Sequence, residues 1–153
     1  LNIKVNENII INLNNVSSVM FEEKKTIFNF NYNISLKGNL DRMIPDYVYV
    51  YQEKHQKEKI REILNNGKWL NFPKSDNPNR YVNPKAVSFI KMEKRTNGKY
   101  HKYRIIMNLN TSVSLSNDIY VKTSDAVYAD FLDKNEFDKA IQYLNENLNI
   151  VDI

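Results

Sequence analysis

A chain of 153 residues, 42% of them hydrophobic, is long enough to bury a core without staples, and it contains no cysteine, which excludes disulfides, thiolate catalysis and cysteine-ligated zinc. Its 22 basic and 18 acidic residues leave a net charge of +4, and no apolar run approaches the roughly 20 residues of a membrane-spanning helix. Ten tyrosines and seven phenylalanines argue against disorder, while the 24 asparagines, among many Lys and Ile, fit the codon bias of an AT-rich genome.

In chain order, Leu1–Val5 and Ile9–Leu13 alternate and are expected to pair as a hairpin, followed by a strand near Val19–Phe21. The clearest alternation comes next. Phe28, Phe30, Tyr32, Ile34 and Leu36 fall on one face and Asn29, Asn31, Asn33 and Ser35 on the other, as in a sheet with one buried and one wet face. The strand Tyr47–Tyr51 leads into a helix over Lys54–Asn65, with Ile60, Ile63 and Leu64 as its apolar stripe and Gly67 placed for a left-handed C-terminal cap.

The same plan then recurs. Trp69–Phe72 and Arg80–Asn83 are expected to form a hairpin around a polar loop, with Trp69 as a core anchor. A strand near Ile90–Met92 follows, then Ile105, Met107, Leu109, Val113 and Leu115 on one face, and a strand over Val127–Phe131. The last helix, Lys134–Asn147, carries Phe137, Ala140, Ile141, Leu144 and Leu148 on one side, and Asp133 with Glu136 predicts a capping box at its start.

These segments align colinearly. Val16–Glu22 faces Val87–Glu93, Ile27–Asn31 faces Ile106–Asn110, Ile34-Ser35-Leu36 faces Val113-Ser114-Leu115, and Asp46–Tyr49 faces Asp125–Tyr128. Self-similarity of this kind predicts an internal duplication. The expected fold is α+β: one compact domain of two tandem strand-rich repeats, residues 1–67 and 68–153, each an antiparallel sheet followed by a C-terminal helix. A unit of about 70 residues has little core alone, so the two are expected to share one core as an intramolecular pseudo-dimer.

The copies differ in charge. Residues 68–104 hold ten basic residues against two acidic ones, a net of +8, whereas residues 105–153 carry −5. The peak, residues 91–104, is where the second copy is longer, and its Asn97-Gly98 predicts a tight hairpin. Lys91, Lys94, Arg95, Lys99, Lys102 and Arg104 on such a ribbon suit phosphate contact, and Tyr100, His101 and Tyr103 suit base stacking. An edge hairpin using lysine to block aggregation is the plainer alternative. Tyr47, Tyr49 and Tyr51 would line the outer face of their strand if Val48 and Val50 face the core, forming a stacking row; cross-strand packing explains such a row equally well.

Catalytic signatures are missing: no phosphate-binding glycine loop, nucleophile elbow or metalloprotease helix occurs. His55 and His101 read as solvated surface residues, and Asp118, Asp125 and Asp130 fit no metal-loop spacing. No catalytic residue, metal or cofactor is therefore expected. The element order resembles the plan of the Whirly and PUR families over most of the chain, without any family motif residue by residue. That resemblance implies single-stranded nucleic acid bound through the sheets and carries over no site residue. The expectation is a non-enzymatic module contacting single-stranded nucleic acid or RNA, cytoplasmic since neither cysteines nor a signal peptide occur, and monomeric or homodimeric. The alternative is a protein-interaction adaptor of phage, plasmid or accessory type, with an acidic protein partner.

Overall fold

The computed structural model describes residues 1–30, 34–36, 47–94, 102–109, 113–115 and 126–153. The fold is α+β. Strands β1 (Asn2–Lys4) and β2 (Ile10–Asn12) form an antiparallel hairpin, and a single 3-10 turn at Leu13–Asn15 passes the chain into β3 (Val16–Phe21). β4 (Lys25–Phe30), β5 (Ile34–Leu36), β6 (Tyr47–Tyr51) and α1 (Lys54–Asn66) follow. The second half runs through the hairpin β7 (Leu70–Asn71) and β8 (Arg80–Val82), a 3-10 turn at Pro84–Ala86, β9 (Val87–Lys94), β10 (Tyr103–Leu109), β11 (Val113–Leu115), β12 (Ala126–Phe131) and α2 (Lys134–Asn147).

The strands assemble into a five-stranded antiparallel sheet, ordered β6-β4-β3-β8-β7, and a three-stranded one, ordered β12-β10-β9. The hairpin β1–β2 is the third antiparallel sheet, and β5 pairs with β11 in parallel, Ile34 opposite Val113 and Leu36 opposite Leu115. The long alternating run from Phe28 to Leu36 is therefore divided between β4 and β5, with Tyr32, Asn31 and Asn33 outside the described residues.

Among the described residues two hydrophobic cores form where one shared core was expected. The first gathers Ile3, Val5, Ile11 and Leu13 from the first hairpin, Val16, Val19, Phe21, Phe28 and Val50 from the sheet, and Ile60 and Leu64 from α1. The second gathers Ile105, Met107, Leu109, Val127, Ala129 and Phe131 beneath Phe137, Ala140 and Leu144 of α2. The hairpin β7–β8 serves both. Trp69 and Tyr81 enter the first core, and Leu70, Phe72 and Val82 enter the second. Period-two alternation causes this split, because neighbours on a strand face opposite sides of the sheet. Fully burying a valine, leucine, isoleucine, methionine or phenylalanine side chain among these contributes roughly 1.5–3 kcal/mol.

Asparagines fix the path by which the chain enters β3 and β9. The Asn83 carboxamide accepts from the Lys85 N–H (3.0 Å) and donates through Nδ2 to the Val16 carbonyl (2.9 Å), tying the second 3-10 turn to β3. Asn12 caps the first turn alike, accepting from the Asn14 N–H at 3.0 Å.

The helix ends depart from expectation. Gly67 has φ of −80°, and the left-handed residue is Lys68 at φ 56°. Space is tight at Gly67, where a Cβ would lie 3.2 Å from Cδ1 of Trp69 and the indole would have to give by a few tenths of an ångström. At the start of α2 the Asp133 carboxylate accepts from the Asn135 N–H (2.9 Å), but Glu136 turns to Lys139 (3.6 Å). The reciprocal side-chain hydrogen bond appears in α1, where the Glu53 N–H donates to Oε1 of Gln56 (2.8 Å).

Lys68→Gly relieves a left-handed lysine and should raise stability by about 0.5–1 kcal/mol in urea unfolding. Tyr143 bridges α2 to β7: its hydroxyl accepts from the Asn71 N–H and donates to the Trp69 carbonyl, both at 3.3 Å. Burial pushes this phenol above its ordinary value of 10.0. Its contribution is thus complete below about pH 10 and lost as pH rises further, because the unfolded chain gives up that proton first. Tyr143→Phe should cost about 1 kcal/mol at neutral pH and flatten the alkaline limb of the stability profile.

Candidate nucleic-acid interface

The tyrosine row lies where its alternation put it. Val50 is buried, Val48 packs against the first core, and Tyr47, Tyr49 and Tyr51 are exposed on β6, an edge of the five-stranded sheet. Opposite them on β4 stand Asn29, Ile27 and Lys25. The Lys25 ammonium lies 5.2 Å from the Tyr49 ring centre, and Tyr49 meets Tyr51 edge-on at 5.7 Å.

One cross-strand row continues from Tyr49 through Ile27 and Met20 to Arg80. Strands are spaced about 4.8 Å apart, so Tyr49 and Arg80 stand three strands and roughly 14 Å apart with Ile27 and Met20 between them. Arg80 donates to Ser18 Oγ (3.4 Å) and reaches Met20 Sδ (3.2 Å), while its Nε is buried without a hydrogen-bond partner. Burial lowers its pKa from the ordinary arginine value, and no carboxylate pairs with it among the described residues. Toward Ser18 and Val82 the same face is covered by the second core; toward Lys25 and Tyr51 it is open.

The basic ribbon belongs to the other sheet. β9 and β10 pair from Val87–Leu109 out to Lys94–Tyr103. Arg95, Lys99, Tyr100 and His101, with the Asn97-Gly98 turn, lie outside the described residues. Lys91, Lys94 and Lys102 are exposed, Lys91 resting 3.6 Å from Glu93. Tyr103 is turned inward, stacked on Phe137 with ring centres 5.1 Å apart. Arg104 grips Asp130 with two hydrogen bonds, of 2.6 and 2.8 Å, and lies 4.6 Å over the Tyr128 ring. The hydrogen bond to Asp130 raises its pKa. Tyr103 and Arg104 thus anchor the base of the ribbon, while the three lysines are available to a ligand. The tyrosine row and the ribbon sit on separate sheets, and among the described residues no strand pairing joins them.

Further groups come together that the sequence did not single out. Lys57 is buried and its ammonium donates to the Glu22 carbonyl (2.7 Å) and to the Glu23 carbonyl, fastening α1 to the β3–β4 turn. Its place three and seven residues before Ile60 and Leu64, on the apolar stripe, was the available signal. A cleft of about 350 Å³ opens between α2 and the start of the β7–β8 loop, lined by Phe72, Pro73, Phe131, Ala140 and Tyr143, with the ion-paired Glu136 and Lys139 at its lip. Its walls come from three distant segments, so no local pattern announces it.

His55 is exposed, 3.4 Å from Glu53. Asp118 and Asp125 lie outside the described residues, and among those described no group of three or more His, Asp or Glu is placed to hold a metal ion. Nor is any described helix long and apolar enough to cross a membrane. Comparison with protein-family models, with curated proteins and with solved structures finds no match to this chain.

Proposed function

We propose that this chain is a non-enzymatic module that binds single-stranded nucleic acid, with the outer face of the five-stranded sheet as base platform and the β9–β10 ribbon as phosphate contact. The observation that carries the reading is the row Tyr47, Tyr49 and Tyr51, exposed on one strand beside Lys25. Every base has a π-face, so a row of rings binds a strand without regard to sequence. Lys91, Lys94 and Lys102 add charge that neutralises phosphates and releases counterions.

We also propose a tandem origin for the molecule, as two copies arranged as a pseudo-dimer. Its support is local. Both halves run strand, strand, 3-10 turn, four strands, helix. β3 steps from Ser18 to Val16 against β4 as β9 steps from Phe89 to Val87 against β10. Lys25 over Tyr49 matches Arg104 over Tyr128, and each pair occupies the same rungs of its sheet.

A labelled single-stranded oligonucleotide should raise its fluorescence anisotropy with this protein at low salt, and the affinity should fall as salt is added. Tyr49→Ala and Tyr51→Ala should each weaken binding by about 1–3 kcal/mol if a base stacks there. Lys91→Ala, Lys94→Ala and Lys102→Ala should each reduce the salt slope by about 1 for a phosphate no longer neutralised. An unchanged anisotropy for the wild-type protein at low salt would sink the reading and leave the interaction-adaptor alternative.

A further inference from the structure

Three large apolar side chains stand exposed on two strand edges remote in sequence: Ile10 on β2 at 69%, and Phe89 and Met92 on β9 at 56% and 48%. Their counterparts in the rest of the fold are not exposed. β8 closes the edge of β3, with Ser18 opposite Val82, Val19 opposite Tyr81 and Met20 opposite Arg80. The Phe21 N–H donates to the Asn79 carbonyl (3.0 Å), and Asn83 clamps the far end through the Val16 carbonyl. Tyr81 meets Phe21 edge-on at 5.7 Å, leaving the two rings 7% and 3% exposed.

Taken as copies, the two halves put Met92 in the place of Phe21, Phe89 in that of Ser18, Ile10 in that of Tyr81 and Asn12 in that of Asn83. β3 and β9 carry the same register shift at corresponding residues, Val16–Ser18 and Val87–Phe89, so the two strands share one alternation beyond it. Asn12 already makes the local cap that Asn83 makes. β9 therefore offers the edge that β3 offers, and the hairpin β1–β2 offers the surface that β7–β8 offers. Yet among the described residues β9 is the last strand of its sheet, and β2 pairs with β1 alone. The joint between β3 and β8 is made once, and both of its halves are left over.

We propose that a second copy of this chain completes them: the β1–β2 hairpin of one molecule adds antiparallel to β9 of the next, Phe89 opposite Ile11, Ile90 opposite Ile10 and Lys91 opposite Ile9, with Ile10 covering Met92. Main-chain hydrogen bonds hold such a strand addition, and the exposed apolar side chains give it register. The joint uses two different surfaces of the molecule, so it is head-to-tail and each added copy presents a new free β9. The assignment rests on reading the halves as copies.

Sedimentation velocity from micromolar to millimolar protein tests it. The sedimentation coefficient of the wild type should climb with concentration. Ile10→Glu and Met92→Glu should each abolish the climb, and an equimolar mixture of the two should give a two-chain species and nothing longer, because each variant supplies the half that the other lacks. Circular dichroism checks that both are folded; Ile10→Ser and Met92→Ser replace them if the glutamates are not tolerated. A wild type that stays monomeric, climbing that survives in both variants, or a mixture without the two-chain species overturns the assembly. Tyr81→Ala, read by chemical unfolding, separates the two levels. A lowered midpoint beside a monomeric wild type leaves the copies standing and removes the assembly, whereas an unchanged midpoint removes the joint on which both rest.

Discussion

Antiparallel pairing of β8 with β3 decides how the two halves of the molecule meet. The three rungs from Ser18–Val82 to Met20–Arg80 draw the hairpin of the second half into the sheet of the first. Backbone groups buried at that junction are satisfied by the pairing itself and by Asn83, whose carboxamide reaches the Val16 carbonyl. Buried polar groups left without partners cost about 1–3 kcal/mol each, so the joint is held in register by more than apolar contact. Everything outward of it depends on that register. It sets Tyr81 against Phe21, places Arg80 beside Met20, and continues the row that ends at Tyr49.

Much of this was legible one segment at a time. Alternation located β6 to the residue, and the apolar stripe located α2, because each signal is local and repeats over several turns or rungs. The outward tyrosines followed from the same period, and Trp69 joins the core as expected. What was not legible is neighbourhood. Period two says that a strand has a buried face; it does not say which strand lies beside it, so neither the β3–β8 joint nor the parallel pairing of β5 with β11 could be read. The division into two cores follows from that joint and was hidden with it. Lys57 shows its burial in the sequence only by its place on the apolar stripe of α1; its carbonyl partners, on a distant turn, leave no local pattern. The end of α1 fell within one residue of its expected place, but the left-handed conformation expected of Gly67 is taken by Lys68, while Gly67 lies against the Trp69 ring.

On the candidate site, the sequence identified residue types better than availability. A tyrosine and an arginine within a basic stretch look alike to a reader of composition. In the fold Tyr103 is committed to Phe137 and Arg104 to Asp130, whereas Lys91, Lys94 and Lys102 remain exposed. The lysines are long and strongly hydrated and stay in water unless drawn out of it; the ring and the guanidinium gain by packing and by a two-pronged carboxylate. Under the proposed function, the β6 tyrosines and those lysines are the groups among the described residues that stand open to a nucleic-acid strand.

The shared hairpin also limits how this chain can change length. Trp69, just before β7, belongs to one core and Leu70, which opens β7, to the other. Deleting or inserting one residue within the strand would exchange the two, sending an indole toward the space of a leucine and a leucine toward that of an indole. A change of two residues restores the parity, and a change within the loop Pro73–Asn79 leaves it untouched. Drift in length is therefore tolerated in even steps along β7 and β8 and freely only at their tip, a counting rule imposed by two interiors that meet across one ribbon of backbone.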